Sequence, residues 1–464
     1  MSIICFILNK FEVAKTLIMT SKKTGFFQEH PDLATSGNTD YYAAGPCCAH
    51  GLRAQQEIAE MVQRQVPPRL IYSQGCGAFG LFTVTKNLAD YTTAKLFATV
   101  GNSCRVFVRF SEQTELDKNC GRPKGFSVRF YTDEGNWDLV AQSSPIYYIK
   151  DAGKFPELIN AQLPQRKTNL YSAAAEWAFR SENPETLHAL LIDFSDDEKS
   201  NGYRDMKGHG VHAFAMFNAT NEKAWVKYHW KPQQSSANEE SDPGRDLTEA
   251  IKNEDFPKWK LFIQIMTEQQ AEEQRWNPFD ATKIWSPNDF PMIEVGELIL
   301  NQLPGDHLSD VEQAAFSPAK LLPGMAFSPD PLLQCRQFAY QNAQQQRVGP
   351  HGQLLKVNQG KNIIVSSRSQ SGDPLYNAAL YGENENDHFT QAGHFYAKML
   401  NTVQREKLAE NIIASMQQIE GPRRERIIGR QLCHFFRADI ALGIRIAAGL
   451  NFNIDENMMT HNTM

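Results

Sequence analysis

The chain has 464 residues and a formal net charge of −6, with 41% hydrophobic and 22% charged residues. This composition is typical of a globular protein and excludes a wholly disordered chain. The slightly acidic balance does not indicate a broad nucleic-acid surface, so no nucleic-acid partner is expected. Every apolar run is shorter than the ~18 residues that a membrane helix needs, so no membrane association is predicted.

The cysteines and the chain ends bear on the cellular compartment. The eight cysteines are scattered and form no C-x-x-C pair, which is typical of reduced thiols in an intracellular protein. The apolar stretch at residues 3–8 is short and has no basic segment before it, so it predicts no secretory signal. Residues 461–464 do not match the Ser-Lys-Leu peroxisomal signal.

The first 66 residues are predicted to form an arm and a short helix that ends before the two prolines at 67 and 68. From residue 67 to about 300, short segments alternate apolar and polar residues, which indicates strands with one buried face. The clearest segments are 105–110, 125–131, 224–230 and 260–266. Several such strands, separated by loops and occasional helices, predict a β-barrel with insertions.

The remainder of the chain is predicted to wrap and then to become helical. Residues 301–386 are rich in Pro, Gly, Gln and Asn and carry one predicted helix, around 332–345. A segment of this length with little regular structure is expected to pack on another unit. Residues 387–450 are predicted to form a C-terminal helical domain, followed by a tail at 451–464. Its predicted buried stripe is Phe395, Leu400, Val403, Leu408 and Ile412.

The first chemical signal is the segment Arg336-Gln337-Phe338-Ala339-Tyr340. On a helix, Arg336 and Tyr340 are four residues apart and share a face. A guanidinium beside a phenol favours the phenolate, which is a hard anionic ligand suited to ferric iron. Alone this pair is a weak signal, because such pairs usually lie on protein surfaces.

Longer motifs, in chain order, resemble the haem catalase family, and the match is collinear from about residue 33 to 450. The chain is identified as a divergent member of its small-subunit, animal-type branch. The motifs are residues 68–80, Val108-Arg109-Phe110-Ser111, residues 134–140, Asn277-Pro278-Phe279-Asp280 and Ala314-Ala315-Phe316-Ser317-Pro318. The resemblance implies an α+β catalase fold, with an eight-stranded antiparallel β-barrel, an N-terminal arm, a wrapping loop and a C-terminal helical domain. It also implies a homotetramer.

The resemblance implies a haem site with assigned residues. Tyr340 corresponds to the proximal ligand of the haem iron, a role for which catalase is itself the standard example, and Arg336 to the arginine that keeps it ionised. Ser111 corresponds to a serine beside the distal histidine, and Phe155 to an aromatic residue at the distal haem face. Three arginines, whose planar forks suit carboxylates, correspond to the partners of the haem propionates. They are Arg69, Arg109 and Arg347.

Two distal positions depart from the family pattern. Tyr72 stands in place of the distal histidine and Gln142 in place of the distal asparagine. In the family, the histidine moves a proton between the two peroxide oxygens, and the asparagine hydrogen-bonds the peroxide. An unperturbed phenol, with a pKa of ~10, is a poor base compared with imidazole at ~6.5. Because losing a positioned acid–base group typically costs ~10²–10⁴ in rate, slow catalysis is expected.

Further departures lie along the access channel that the resemblance implies. Arg122, before Pro123, replaces a buried aspartate, and this change of sign would alter the field along the channel. Tyr147 and Tyr148 replace two phenylalanines near the haem.

The family's NADPH pocket is only partly retained, and we expect no tight NADPH binding. Asp197 stands where an arginine pairs the 2′-phosphate, and the negative charge should repel that group. Lys207, His209 and Pro287 are further replacements, whereas four positions are kept: His188, Ser195, Lys231 and Trp285.

Three histidines form a second candidate cluster. His209 and His212 have the spacing of a metal-binding pair, but no third ligand lies at a telling distance in the sequence. His212 also matches a histidine of the family pattern that lies on a barrel strand. We therefore interpret His209, His212 and His229 as structural histidines rather than zinc ligands.

The resemblance predicts a haem enzyme that breaks down hydrogen peroxide to water and oxygen at reduced efficiency, in a response to oxidative stress. Two alternatives stay open. One is a non-catalytic haem-binding relative. The other is an altered haem peroxidase in which Tyr72 donates an electron. An intracellular location, cytoplasmic or peroxisomal, follows by analogy with the family.

Overall fold

The computed structural model describes residues 66–112, 122–195, 202–234, 242–360 and 387–453. All of them belong to one compact unit, Val66–Met464. The predicted arm and short helix lie outside the described residues, as does almost all of the predicted tail.

Ten strands form one sheet, and eight of them close into an antiparallel barrel. They are β1 (Gln74–Val84), β2 (Ser103–Glu112), β3 (Gly125–Thr132), β4 (Gly135–Gln142), β5 (Gly208–His209), β6 (Phe214–Phe217), β7 (Lys223–Pro232), β8 (Lys258–Thr267), β9 (Ile293–Gln302) and β10 (Met325–Phe327). The order around the barrel is β7-β5-β4-β3-β2-β1-β9-β8, and β8 pairs with β7 to close it. The predicted eight-stranded barrel is confirmed, and each of the four predicted segments lies within a strand.

Successive side chains of each strand point alternately into the barrel core and toward the outer face of the barrel. On β2, Val106, Val108 and Phe110 are fully buried in the core cluster inside the barrel. Phe130 and Trp137 stack there with ring centroids 4.3 Å apart. Burying a large apolar side chain contributes roughly 1.5–3 kcal/mol, so these rings are a main source of stability. The intervening residues of β2 point outward, and that outer face carries the candidate site.

The segment from residue 311 to 358 covers the outer face of β2, β3 and β4. Arg129, which is fully buried, donates through Nε and Nη2 to both carboxylate oxygens of Asp138, each at 2.7 Å. Its Nη1 donates to Asn358 Oδ1 at 2.6 Å, and the Ser317 amide donates to Asp138 at 2.9 Å. A bidentate buried pair of this kind fixes the covering segment on the barrel.

Ten α-helices are present among the described residues, and none of them is long and apolar enough to cross a membrane. They are α1 (Phe155–Gln162), α2 (Ala173–Glu182), α3 (Leu187–Phe194), α4 (Pro243–Lys252), α5 (Glu268–Glu272), α6 (Pro331–Val348), α7 (Thr390–His394), α8 (Thr402–Gln417), α9 (Arg424–Ala438) and α10 (Ile440–Gly449). Helix α6 contains the helix predicted around 332–345. It begins after Asp330, whose side chain accepts the amides of residues 332 and 333.

Most of the predicted C-terminal stripe is buried in a second core, which α2, α3, α8, α9 and α10 share. The prediction is wrong for Val403, which is 73% exposed. The cause is a break in the helical segment at Asn401, whose side chain accepts the Gln404 amide and starts α8 anew. Residues 395–399 and α8 are therefore separate helical segments, and a single hydrophobic repeat does not continue from one into the other.

Candidate functional site

The sheet register aligns several candidate residues in one row across the barrel. Ser111 pairs with Gly75 and Gly125, Gly125 pairs with Gln142, and Gln142 pairs with His209. Directly paired residues point to the same face of a sheet. Ser111 and Gln142 therefore project from the outer face of the barrel, on either side of Gly125. Because Gly125 has no side chain, a gap lies between them.

Tyr72 enters this gap. A Cβ atom at Gly125 would lie 2.4 Å from Ser111 Oγ and 3.5 Å from Cδ1 of the Tyr72 ring, so a side chain there would clash. Tyr72 has a φ of 55°, in the left-handed region that non-glycine residues seldom occupy. Arg109 holds this strained segment by donating to the carbonyls of Tyr72 (3.1 Å) and Ser73 (3.2 Å). The structure thus brings Tyr72, Ser111 and Arg109 together.

The protonation of Tyr72 and the orientation of Gln142 limit distal chemistry. Burial, followed by the nearby phenols of Tyr147 and Tyr340, raises the pKa of Tyr72 well above its usual range. Its hydroxyl is therefore neutral at ordinary pH and can donate a hydrogen bond, but it is not a base. Gln142 Nε2 donates to the carbonyl of Ile146 at 2.8 Å, so this amide group is already used by its own loop.

On α6, Tyr340 ends a chain of four hydrogen-bonded groups. Arg336 Nη2 donates to the Tyr340 oxygen at 3.0 Å, and Arg336 Nη1 contacts His212 Nε2 at 2.7 Å. His212 Nδ1 contacts Asp330 Oδ2. Because a guanidinium has no acceptor, Nε2 of His212 must accept, and Nδ1 must donate to Asp330. Burial opposes a charge on Arg336, but Tyr340 and Tyr147 raise its pKa overall, so a cation is held against the Tyr340 oxygen.

Sequence reasoning missed the part that His212 and Asp330 play in this chain. His212 lies in the connection between β5 and β6, so the expectation that it sits on a barrel strand is wrong. Both of its ring nitrogens bond protein groups, and its interpretation as a structural histidine rather than a zinc ligand stays a prediction. The other two histidines contact each other, with His209 Nδ1 and His229 Nδ1 2.8 Å apart. The partners of His212 lie more than a hundred residues away in the sequence, so no local pattern revealed them.

The three arginines predicted to hold propionates converge on one carboxylate, Glu312. The distances to its oxygens are 2.8 Å for Arg69, 3.4 Å for Arg109 and 3.6 Å for Arg347. Three positive charges against one negative charge leave two uncompensated. Burial, then repulsion from Arg109 and Arg347, lowers the pKa of Arg69 to about 9. Arg109 Nε is buried without a partner among the described residues.

These donors fit a haem group. The Tyr340 oxygen, which accepts from the Arg336 cation, is a phenol oxygen of the kind that binds haem iron. Two carboxylates would balance the two uncompensated charges of the arginine cluster, and the unused Arg109 Nε could donate to one of them. The chemistry of the residues present therefore suits an iron porphyrin with two propionates.

Comparisons with known proteins identify the family of the chain. The family model described as Catalase matches residues 27–388, and the model described as Catalase-related immune-responsive matches residues 382–450. The chain belongs to the catalase family. It is 37% identical to catalase A of Pseudomonas putida, covering 88% of this chain and 95% of that protein. It is 36% identical to a catalase of the Onchocerca volvulus endobacterium, covering 94% and 100%.

Solved catalase structures share the fold. A bacterial catalase superposes with a TM-score of 0.79 at 31% identity, covering 90% of this chain and 94% of that one. Catalase A from Saccharomyces cerevisiae gives a TM-score of 0.77 at 29% identity, covering 88% and 94%. The predicted α+β catalase fold is thereby confirmed.

Tyr147 and Tyr148, which replace two phenylalanines of the catalase pattern, face different groups. The Arg336 guanidinium lies 5.6 Å from the Tyr147 ring centroid, and burial raises the pKa of Tyr147 to about 12. Tyr148 instead donates its hydroxyl to Asp193 at 2.6 Å. Phe155 begins α1, directly after a turn that contacts α6, and packs against the second core.

Three of the four retained NADPH positions of the catalase pattern are buried, whereas Lys231 is exposed, with its Nζ 4.8 Å from the Phe262 ring centroid. His188 is buried beside Phe395, and burial lowers its pKa to about 3. The Ser195 hydroxyl donates to the Ile192 carbonyl at 2.7 Å, and Trp285 is fully buried. Asp197 lies outside the described residues, so the expected lack of tight NADPH binding stays a prediction.

Proposed function

We propose that this catalase-family protein binds haem through Tyr340 and breaks down hydrogen peroxide to water and oxygen, more slowly than catalases with a distal histidine. The observation that carries the proposal is the hydrogen-bonded chain from Asp330 through His212 and Arg336 to Tyr340. Such a chain orients a metal ligand and fixes its electronic character. It would have little use if Tyr340 were only a packing residue.

In this proposal each haem contact has a residue. Tyr340 would be the iron ligand, and Arg69, Arg109 and Arg347 would pair the two propionates. Phe155 would line the distal side of the haem. When bound, haem supplies the redox chemistry of peroxide breakdown. The chain itself would donate to the iron ligand from the Arg336 cation, neutralise the propionates and orient the peroxide.

The distal residues orient peroxide but provide no proton acceptor of their own. Tyr72 donates a hydrogen bond from a neutral phenol, and Ser111 lies beside its ring. The amide nitrogen of Gln142 is occupied by the Ile146 carbonyl, which leaves its Oε1 to accept from peroxide. The missing base is the reason for the slow rate that we propose.

A second candidate function is haem binding without catalysis. The observation that favours it is the same neutral, buried Tyr72 together with the engaged amide of Gln142. A third is one-electron peroxidase chemistry, in which Tyr72 serves as the electron donor.

For each of these candidate functions, we propose a homotetramer and a cytoplasmic or peroxisomal location. Light scattering would test the oligomeric state, and imaging of the tagged full-length chain would test the location.

Oxygen release separates these candidates. The full-length protein is purified with haem incorporated, and oxygen evolution is followed after peroxide addition, beside free haem at the same concentration and a Tyr340→Phe variant. We expect a rate above free haem that is lost in Tyr340→Phe. A rate equal to free haem would reject catalysis, and oxidation of an added phenol without oxygen release would favour the peroxidase candidate.

A further inference from the structure

A buried cluster of charged groups lies between α2, α3 and the segment that follows β4, and neither the iron ligand nor the propionate arginines account for it. Glu176 accepts from Arg180 at 2.6 Å and from Arg122 at 2.9 Å. Asp193 on α3 accepts the Tyr148 hydroxyl at 2.6 Å. The Arg180 guanidinium lies 5.7 Å from the Tyr148 ring centroid, so the two pairs are neighbours.

The two carboxylates of this cluster differ in how their charge is held. Glu176 lies between two guanidiniums, which overcome burial and lower its pKa to about 2. Asp193 has no such ion pair with any residue that the structure describes, although it is 94% buried. Burial raises the pKa of Asp193 to about 7, against smaller opposing effects of Tyr148 and Arg180. Arg180 Nη1 stays without a hydrogen-bond partner among the described residues.

Asp193 is thus the titratable group of the cluster, and its partner Tyr148 lies two residues after Ile146, whose carbonyl accepts from the distal Gln142 at 2.8 Å. Both Asp193 and Tyr148 lie close enough to Tyr72 for their charges to be coupled to its own. The groups that face Asp193 are Tyr148 and Tyr72 from the segments beside β4 and β1, and Arg180 and Glu176 from α2. Tyr72 itself cannot accept a proton at ordinary pH.

We propose that Asp193, acting through the Tyr148 hydroxyl, accepts the proton that the distal histidine accepts in other catalases. This inference rests on the proposed function. In it Asp193 is a positioning residue for proton movement, since Tyr148 lies between it and the distal pocket.

The proton movements balance without any other reactant. Tyr148 Oη accepts a proton released by peroxide while its own proton passes along the 2.6 Å hydrogen bond to Asp193 Oδ2. Peroxide becomes its anion, and the carboxylate becomes a neutral carboxyl. The reverse shift would return the proton to the oxygen that leaves as water, and Asp193 would again be a carboxylate; a bound haem would take the other oxygen atom and supply the two electrons needed to break the O–O bond. Because the carboxylate is the active form, the rate should rise with pH through the titration of Asp193.

The test compares pH profiles of kcat/KM for oxygen release in the haem-loaded, full-length protein with Asp193→Asn and Tyr148→Phe. Asp246→Asn and Tyr131→Phe are matched controls, because both side chains are hydrogen-bonded and lie away from the cluster. A second readout is the infrared band of a protonated carboxyl, followed as pH rises. We expect the wild-type rate and the loss of this band to share one titration near neutral pH.

In Asp193→Asn we expect the band and the pH step to vanish and the high-pH rate to fall by about 10²-fold, with an unchanged haem spectrum. Tyr148→Phe should lose the pH step in rate but keep the band. Oxygen release with the same pH profile in wild type and Asp193→Asn would overturn this inference alone. A band that does not titrate would also overturn it, whatever the activity. No oxygen release above free haem would overturn the proposed function and, with it, the inference.

Discussion

The two sides of the candidate haem pocket differ in how their residues are held. On the proximal side, Asp330, His212, Arg336 and Tyr340 form one connected chain, and removing any member leaves a buried polar partner unsatisfied. On the distal side, Arg109 holds Tyr72 through its backbone carbonyl. The Tyr72 hydroxyl makes no hydrogen bond with any residue that the structure describes. A connected network constrains every member, whereas the distal side chain can change at little cost in folding. This difference predicts that substitutions on the proximal side cost more folding free energy than substitutions of the Tyr72 side chain.

The largest expected effect comes from restoring the distal side. Tyr72→His with Gln142→Asn should raise oxygen evolution by ~10²–10⁴, because imidazole supplies a base near neutral pH. Stopped-flow oxygen release at pH 7 measures it, with each single variant as a control. No gain from either or both changes would mean that the channel or the haem site is also disabled, and the contrast between the two sides would no longer hold.

The proximal side depends on the segment that wraps the barrel. Arg129→Met should lower the free energy of unfolding by ~3–5 kcal/mol, because Asp138 would remain buried without its partner. Urea unfolding followed by tryptophan fluorescence gives this value. Arg105→Met, on the neighbouring strand but exposed, should cost less than ~1 kcal/mol. Equal losses in the two variants would show that the buried pair does not fix the segment.

His212 tests whether the hydrogen-bonded chain behind Tyr340 contributes to haem binding. His212→Ala should weaken haem binding by roughly 10–100-fold, because Arg336 loses its orienting acceptor and Asp330 its donor. Competition for haem against apomyoglobin measures the change. His351→Ala, at an exposed position, serves as the control. Unchanged affinity in His212→Ala would mean that Tyr340 does not need the chain behind it.

The smallest expected effect for one experimental step is the change of stability per pH unit due to Asp193. Its pKa is about 7 in the folded protein and about 3.9 when unfolded, so the folded state binds more protons between these values. Its favourable contribution is complete below pH ~4 and is lost as pH rises through 7, by at most about 1.4 kcal/mol per unit. Asp193→Asn should flatten this slope in urea titrations from pH 5 to 8. A slope equal to that of wild type would contradict the buried titration.

The fold was predictable where local patterns decide it. Alternation at 105–110 and 125–131 identified two strands, and the spacing of Arg336 and Tyr340 on one helix face held true. What could not be predicted depends on contacts between distant parts of the chain. Glu312 among the three arginines is one such contact, and His212 bonded to Asp330 is another. Val403 was misjudged because the cap at Asn401 restarts the helix, and hydrophobic spacing alone cannot locate such a break.

The measurement that tests the central claim most directly is the absorption and resonance Raman spectrum of the haem-loaded wild-type protein, with Tyr340→Phe and Tyr131→Phe beside it. The account predicts one haem per chain with the signature of ferric tyrosinate in wild type and Tyr131→Phe, and loss of that signature in Tyr340→Phe. A protein that takes up no haem, or whose spectrum is unchanged in Tyr340→Phe, would contradict the assignment of the proximal side.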